Sequence, residues 1–358
     1  MVDDEAGVGR RLPSGSFEEA LRTHNTTAVS VAVLENHALA WAAAFGVSRA
    51  GESRLVDAET RFQAASISKP VAAVTALRLV EQGLLNLDSD VKELLGAWSV
   101  RDEFGERARV SLRELLSHTG GLTVHGFPGY RRDVPVPSVL EILDGVAPAN
   151  TPAVRVVGEA PRPFVYSGGG YTVIQHLIDT VTGSYGQAAS EVLSRASMAH
   201  STFLQPNEDD VAHGHDAAGE PLPTGWVLHP ELAAAGLWTT PSDLARFALA
   251  LAQSFNGRTE PLLTQATTAN AFAPVAEADV PPFRWIGLGF YGAGEQQHLR
   301  VGHTGGNQGY RCVLIFYPER GCGAAVMTNG DNGGLLWPEV VRAIAREHRW
   351  PRESERDA

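Results

Sequence analysis

Cysteine is nearly absent: Cys312 and Cys322 are the only two in 358 residues. They flank Pro318-Glu319-Arg320-Gly321, which reads as a hairpin turn. In that register Tyr317 faces Cys322 and Cys312 faces Met327, so the sulfurs lie too far apart along the ladder to bridge. Two buried free thiols are expected, and a disulfide framework is excluded. Long apolar runs are absent too. No stretch of eighteen apolar residues occurs, so no membrane span is expected. The acidic Met1-Val2-Asp3-Asp4-Glu5 has no apolar h-region, which predicts a cytoplasmic enzyme. Positive charge is scarce: 29 basic residues stand against 41 acidic ones, a net charge of −12. That balance argues against a nucleic-acid partner or an anionic membrane surface. Lysine is scarcest of all. Of the 29 basic residues, 27 are Arg and only Lys69 and Lys92 are Lys. Arg cannot accept a proton in a protein, so those two positions are where a basic side chain could titrate.

What is present suits a globular protein with a sizeable core, 44% hydrophobic and 20% charged. Ser16-Phe17-Glu18-Glu19 has the form of a capping box and predicts an N-terminal helix. Val29 to Leu34 and Leu39 to Val47 are β-prone runs separated by Glu35-Asn36-His37, and read as a hairpin. From Val91 to about Ser254 the pattern is helical, broken by Gly/Pro loops. Thr240-Pro241-Ser242-Asp243 is its clearest helix start. Strand character returns at Trp285 to Tyr291, Leu299 to His303, Tyr310 to Tyr317 and Cys322 to Thr328, before a helix from Pro338 to His348. This predicts an α+β protein: a sheet domain built from both termini (1–65 and 275–358) and a mostly helical domain (66–274), with a cleft between them.

Ser66-Ile67-Ser68-Lys69 opens the long apolar stretch that ends near Gly83. Three residues apart on a helix, Ser66 and Lys69 share a face. A hydroxyl becomes a useful nucleophile only when a neighbour takes its proton, and a buried lysine can lose enough basicity to do so. Ser89-Asp90-Val91-Lys92 has the same spacing but reads as the start of a short solvated helix.

Four further segments stand out: Leu115 to Leu122 with Ser117-His118-Thr119-Gly120, the Gly-rich turn Tyr166-Ser167-Gly168-Gly169-Gly170, Ala235-Gly236-Leu237-Trp238 before the Thr240 helix, and Gly302-His303-Thr304-Gly305-Gly306-Asn307, which ends a strand. Taken with Ser66 and Lys69, they make the chain resemble the β-lactamase-related serine hydrolases, from about residue 15 to residue 350. That group comprises class C β-lactamases, DD-peptidases, esterases of the same fold and acyltransferase relatives. Ser66 to Lys69 matches its Ser-x-x-Lys, Tyr166-Ser167-Gly168 its Tyr-x-Asn, and His303-Thr304-Gly305 its Lys-Thr-Gly in the His form.

The resemblance implies a β-lactamase/DD-peptidase-like fold, an antiparallel sheet flanked by terminal helices. It implies Ser66 as nucleophile and Lys69 with Tyr166 sharing the base work. The backbone N–H groups of Ser66 and Gly306 become the oxyanion hole, and His303, Thr304, Gly305, Gly168 and His118 substrate-side residues. It implies neither cofactor nor metal. His118 by itself reads as a structural residue holding a loop, and His213-Gly214-His215-Asp216 as a solvated loop rather than a metal site.

Two departures matter. Gly168 replaces Asn, and His303 replaces Lys, which weakens the hold on a substrate amide and carboxylate. The expected reaction is acyl transfer from a small-molecule ester or amide to water, or to an amine or alcohol acceptor, in a small-molecule role such as secondary metabolism. The alternatives are a β-lactamase or DD-carboxypeptidase, and a non-catalytic ligand-binding domain on the same scaffold. The sequence leaves the oligomeric state open.

Overall fold

The first hairpin forms where the apolar alternation breaks. In the computed structural model of the chain, which describes residues 15–258 and 262–351, β1 (Ala28–Glu35) turns through Asn36 and His37 into β2 (Ala38–Gly46). The acidic Met1–Glu5 stretch lies outside the described residues. Asn36 and His37 both take positive φ, 51° and 60°, the geometry a two-residue turn needs to match strand twist. The other strands of the main sheet, numbered in chain order, are β3 (Ala276–Val280), β4 (Phe283–Ile286), β5 (Tyr291–Ala293), β6 (Arg300–Asn307), β7 (Tyr310–Tyr317) and β8 (Cys322–Thr328). They lie in the order β2-β1-β8-β7-β6-β5-β4-β3, and each adjacent pair is antiparallel.

Both faces of this sheet are covered. Val29, Val31, Val313, Ile315 and Val326 pack against Phe17 and Leu21 of α1 (Phe17–Thr23) and Leu336, Val340 and Ile344 of α6 (Gly333–Glu347). Alternate residues, Ala28, Ala32, Cys312, Leu314 and Met327, enter the larger core on the other face. There they meet α2 (Ser68–Glu81), α3 (Gly168–Thr182) and α5 (Pro241–Phe255). A short helix, α4 (Leu232–Ala235), packs between α2 and α3. The central strands read as unbroken apolar runs because neither of their faces meets water. The fold is α+β, with helices and loops inserted between two strand-forming ends of the chain.

Several expectations need correction. Trp285 to Tyr291 is two strands, because the chain bends at Gly287-Leu288-Gly289, where Gly289 has φ 85°. Strand β3 went unread because Glu277 and Asp279 interrupt its apolar character; both are exposed on an edge strand, where charge is tolerated. The strand expected from Leu299 to His303 does not stop there. β6 runs through Asn307, and the turn is Gln308-Gly309. α6 begins at Gly333, ahead of Pro338, which lies inside it. Gly168-Gly169-Gly170 is the first turn of α3, capped by Ser167 Oγ, which accepts from Gly170 N at 3.0 Å. The thiols are free and the hairpin register pairs Tyr317 with Cys322 and Cys312 with Met327, but only Cys312 is buried; Cys322 is half-buried.

Candidate active site

Ser66 sits in a 3₁₀ turn, Ala65–Ile67, immediately before α2, and Lys69 lies in the first turn of that helix. Ala65, just before Ser66, has φ +49°. That left-handed backbone costs about 1 kcal/mol or more in a residue with a Cβ, so the surroundings must hold it. Ser68 Oγ donates to Ala65 O at 2.6 Å and accepts from Leu237 N at 3.0 Å. Ala64 N donates to Leu237 O at 2.8 Å, and Cys312 Sγ donates to Ala64 O at 3.0 Å. Ser66 is thus fixed from both sides of its turn.

Lys69 reaches Ser66 Oγ at 3.0 Å and donates to Ala234 O, in α4, at 2.8 Å. It is 2% exposed. Its other neighbours are the rings of Tyr166 and Tyr171, 4.9 and 5.6 Å from Nζ. Its partners are a hydroxyl and a carbonyl rather than a carboxylate, so nothing offsets the loss of hydration. Burial alone lowers its pKa from 10.5 to about 7. Tyr166 OH donates to Ser66 Oγ at 2.8 Å. Burial drives this phenol well above its ordinary value, so it stays protonated at neutral pH. Of the two groups on Ser66, Lys69 is therefore the one able to accept a proton, and Tyr166 the one able to give one.

Strand β6 supplies the opposite wall. Its two-residue turn makes Asn307 and Tyr310 a hydrogen-bonded pair, so Gly306, paired with Arg311, turns its N–H away from β7. On that side β5 ends opposite Gly302, and no strand takes the Gly306 N–H. A Cβ on Gly305 would stand 2.4 Å from both Ala64 O and Cys312 Sγ. Only glycine lets β6 press this close to the Ser66 turn. Asn307 Nδ2 locks the approach by donating to Gln63 Oε1 at 2.7 Å and Ala235 O at 3.2 Å.

The remaining motif residues are placed unevenly. Thr304 is half-buried and Gly306 exposed. Gly305 and Gly168 are buried. A Cβ at Gly168 would stand 2.7 Å from Phe127, so the Phe127 ring occupies the place a side chain there would need. His303 and His118 are 1% and 3% exposed, packed against the Tyr166 ring. Burial and the nearby Lys69 hold His303 down to about 3, so it is neutral and offers no charge to a carboxylate. His118 is likewise held well below its ordinary value, chiefly by burial. Ala234 and Phe127 were not singled out in the sequence, and Ser68 stood in a quoted motif without a role. The unusual Gly168-Gly169-Gly170 run is a signal for close approach by another segment; a carbonyl such as that of Ala234 carries no signal.

Other candidates fall away from this cluster. Ser89 is exposed, and Lys92 pairs loosely with Asp90 at 3.6 Å. His215 is buried, with Nε2 accepting from Ala50 N at 3.0 Å and Nδ1 bonded to Asn329 O at 2.8 Å. No group of three or more metal-ligating side chains occurs among the described residues. Trp238 is core, edge-on to Trp226 and Tyr310. Arg131 pairs with Asp133, while Arg132 pairs with Glu208 and lies over Trp226.

The Ser66 turn thus lies between the helical region and strand β6 of the antiparallel sheet. The family described as Beta-lactamase matches residues 15–347 of this chain, and the chain belongs to that family. It is similar to esterase EstB of Burkholderia gladioli, 32% identical over 33% of this chain and 30% of the esterase. It is similar to penicillin-binding protein 4 of Amycolatopsis lactamdurans, 27% identical over 92% of this chain and 88% of that one. Its fold matches the octameric penicillin-binding protein homologue from Pyrococcus abyssi, with TM-score 0.76 at 23% identity over 92% and 75% of the two chains. No helix among the described residues is long and apolar enough to cross a membrane.

Proposed function

We propose that this protein is an acyl-transfer enzyme that forms an acyl-enzyme on Ser66 from a small-molecule ester. The observation that carries the reading is Ser66 Oγ held at once by Lys69 Nζ at 3.0 Å and Tyr166 OH at 2.8 Å, with Lys69 brought to about 7. Neutral Lys69 takes the Ser66 proton as Oγ attacks the carbonyl carbon. The oxygen that becomes negative meets the N–H groups of Ser66 and Gly306. Tyr166 passes its proton to the departing alkoxide, and the Lys69 ammonium restores it. The acyl group then leaves to water, or to an amine or alcohol bound in its place.

The substrate side favours esters. Gly168 brings no amide to the cleft, Phe127 fills its space, and His303 is buried and neutral. A β-lactam or D-Ala peptide would miss both the amide contact and the cation for its carboxylate. The test is intact-mass analysis after incubation with p-nitrophenyl esters, β-lactams and D-Ala peptides, with and without added amines and alcohols. The expected result is a transient acyl adduct on Ser66 from the esters. A cephalosporin turned over with kcat/KM ten-fold or more above the esters would overturn the ester reading. Free acid as the sole product at every acceptor concentration would make the protein a hydrolase and not a transferase.

A further inference from the structure

Two buried nitrogen atoms beside the site, His118 Nε2 and His303 Nε2, have no hydrogen-bond partner among the described residues. Their chemistry is opposite. His118 Nδ1 accepts from Ser167 N at 3.1 Å, so the neutral ring carries its proton on Nε2. His303 Nδ1 lies 2.5 Å from Thr304 O, an atom that can only accept. That ring carries its proton on Nδ1 and leaves Nε2 as a bare lone pair. One donor and one acceptor are therefore left over.

The two rings also flank the same residue. His118 lies 4.5 Å from the Tyr166 ring and His303 6.4 Å from it, centroid to centroid. The circuit closes through Phe164 and Tyr291: His118–Phe164 5.9 Å, Phe164–Tyr291 6.3 Å and Tyr291–His303 4.8 Å. A buried donor or acceptor left unmade is costly. A matched donor and acceptor inside one aromatic enclosure is what a single bound water satisfies.

We infer that His118 and His303 form one positioning unit behind Tyr166, joined by a buried water that accepts from His118 Nε2–H and donates to His303 Nε2. The unit packs against the Tyr166 ring and keeps its hydroxyl on Ser66 Oγ. It does not touch the substrate. The opposite tautomers fix the direction of the bridge: the water accepts from one ring and donates to the other. The effect on turnover rests on the proposed role of Tyr166 as proton donor, but the tautomer pair does not.

The test has two arms. The first is nitrogen-15 NMR of histidine-labelled wild-type protein at pH 7, with His118 and His303 assigned through H118Q and H303Q. The expected result is His118 protonated on Nε2 and His303 on Nδ1; the same tautomer in both, or a cationic ring in either, overturns the inference. The second arm is steady-state hydrolysis of p-nitrophenyl acetate by H118F, H303F and the double variant, which keep the aromatic packing. Each single change is expected to lower kcat roughly ten-fold with KM within about two-fold. The double variant should fall no more than about three-fold below the worse single one, because one bridge cannot be broken twice. Effects that multiply to roughly a hundred-fold overturn the unit. H118Q and H303Q, which keep a donor and an acceptor, should recover most of kcat. Should the Phe variants not fold, or the wild type turn over no ester, the tautomers of the native protein still decide.

Discussion

Raising the pH from 6 to 8 should switch on acylation of Ser66 through one group, Lys69. With its pKa brought to about 7 by burial, neutral lysine amounts to ~10% at pH 6, half at pH 7 and ~90% at pH 8. The acylation rate should rise about five-fold over the first unit and about two-fold over the second. At its ordinary pKa of 10.5, only about one lysine in three thousand would be neutral at pH 7, so burial enriches the base about a thousand-fold. The cost falls on stability. Below pH 7 the fold holds the ammonium against a difference of about 5 kcal/mol from the unfolded chain. The sign follows from the depressed pKa: between about 7 and 10.5 the unfolded state binds more protons, so stability rises with pH across that window. The assay is single-turnover acylation by a p-nitrophenyl ester, followed by intact mass from pH 5.5 to 9, with Ser66→Ala as background. Lys69→Arg keeps the charge but cannot shed it, and should lose ~100-fold or more. A rate flat from pH 6 to 9, or an Arg variant with more than half the wild-type rate, would refute Lys69 as the base.

Ser66→Ala should abolish the acyl adduct while leaving the melting temperature close to wild type, whereas the exposed Ser89→Ala should be neutral in both; equal behaviour would move the nucleophile elsewhere. Gly305→Ala places a methyl 2.4 Å from Ala64 O, so β6 must retreat from the Ser66 turn. Acylation should drop ~100-fold or more with a smaller change in KM, read from kcat and KM on the same ester. Gly168→Asn should be poorly tolerated alone, since its Cβ meets Phe127 at 2.7 Å; adding Phe127→Ala should restore folding, measured by urea denaturation, and raise turnover of amide substrates relative to esters. If the single and double variants show the same ester-to-amide ratio, Phe127 has no part in selectivity.

The Ser66–Lys69 contact was legible in the sequence because its signal is local: it needs only a helical spacing and an apolar stretch behind it. The first hairpin was legible for the same reason, and the central strands because burial on both faces leaves a continuous apolar run. What escaped lies in contacts between distant segments. Gly305 and Gly306 have poor strand propensity and read as a turn. They are strand because β7 pairs with them and because Ala64 O leaves room for nothing larger than glycine. The resemblance made His118 and His303 substrate-side residues, although His118 by itself read as structural. Here they are buried, and their role passes through Tyr166. The proton acceptor depends most on what no pattern carries. In the proposed reaction Lys69 can serve as the base because Ala234 offers it a carbonyl and, among the described residues, no carboxylate bonds to it. A carbonyl supplies a hydrogen bond without a full opposing charge, so it orients the amine while leaving the ammonium destabilised. An acid in α4 within reach of Nζ would favour the ammonium and raise the pKa again. The run Leu232-Ala233-Ala234-Ala235, unremarkable in sequence, thus contributes to the chemistry by the charge it does not bring.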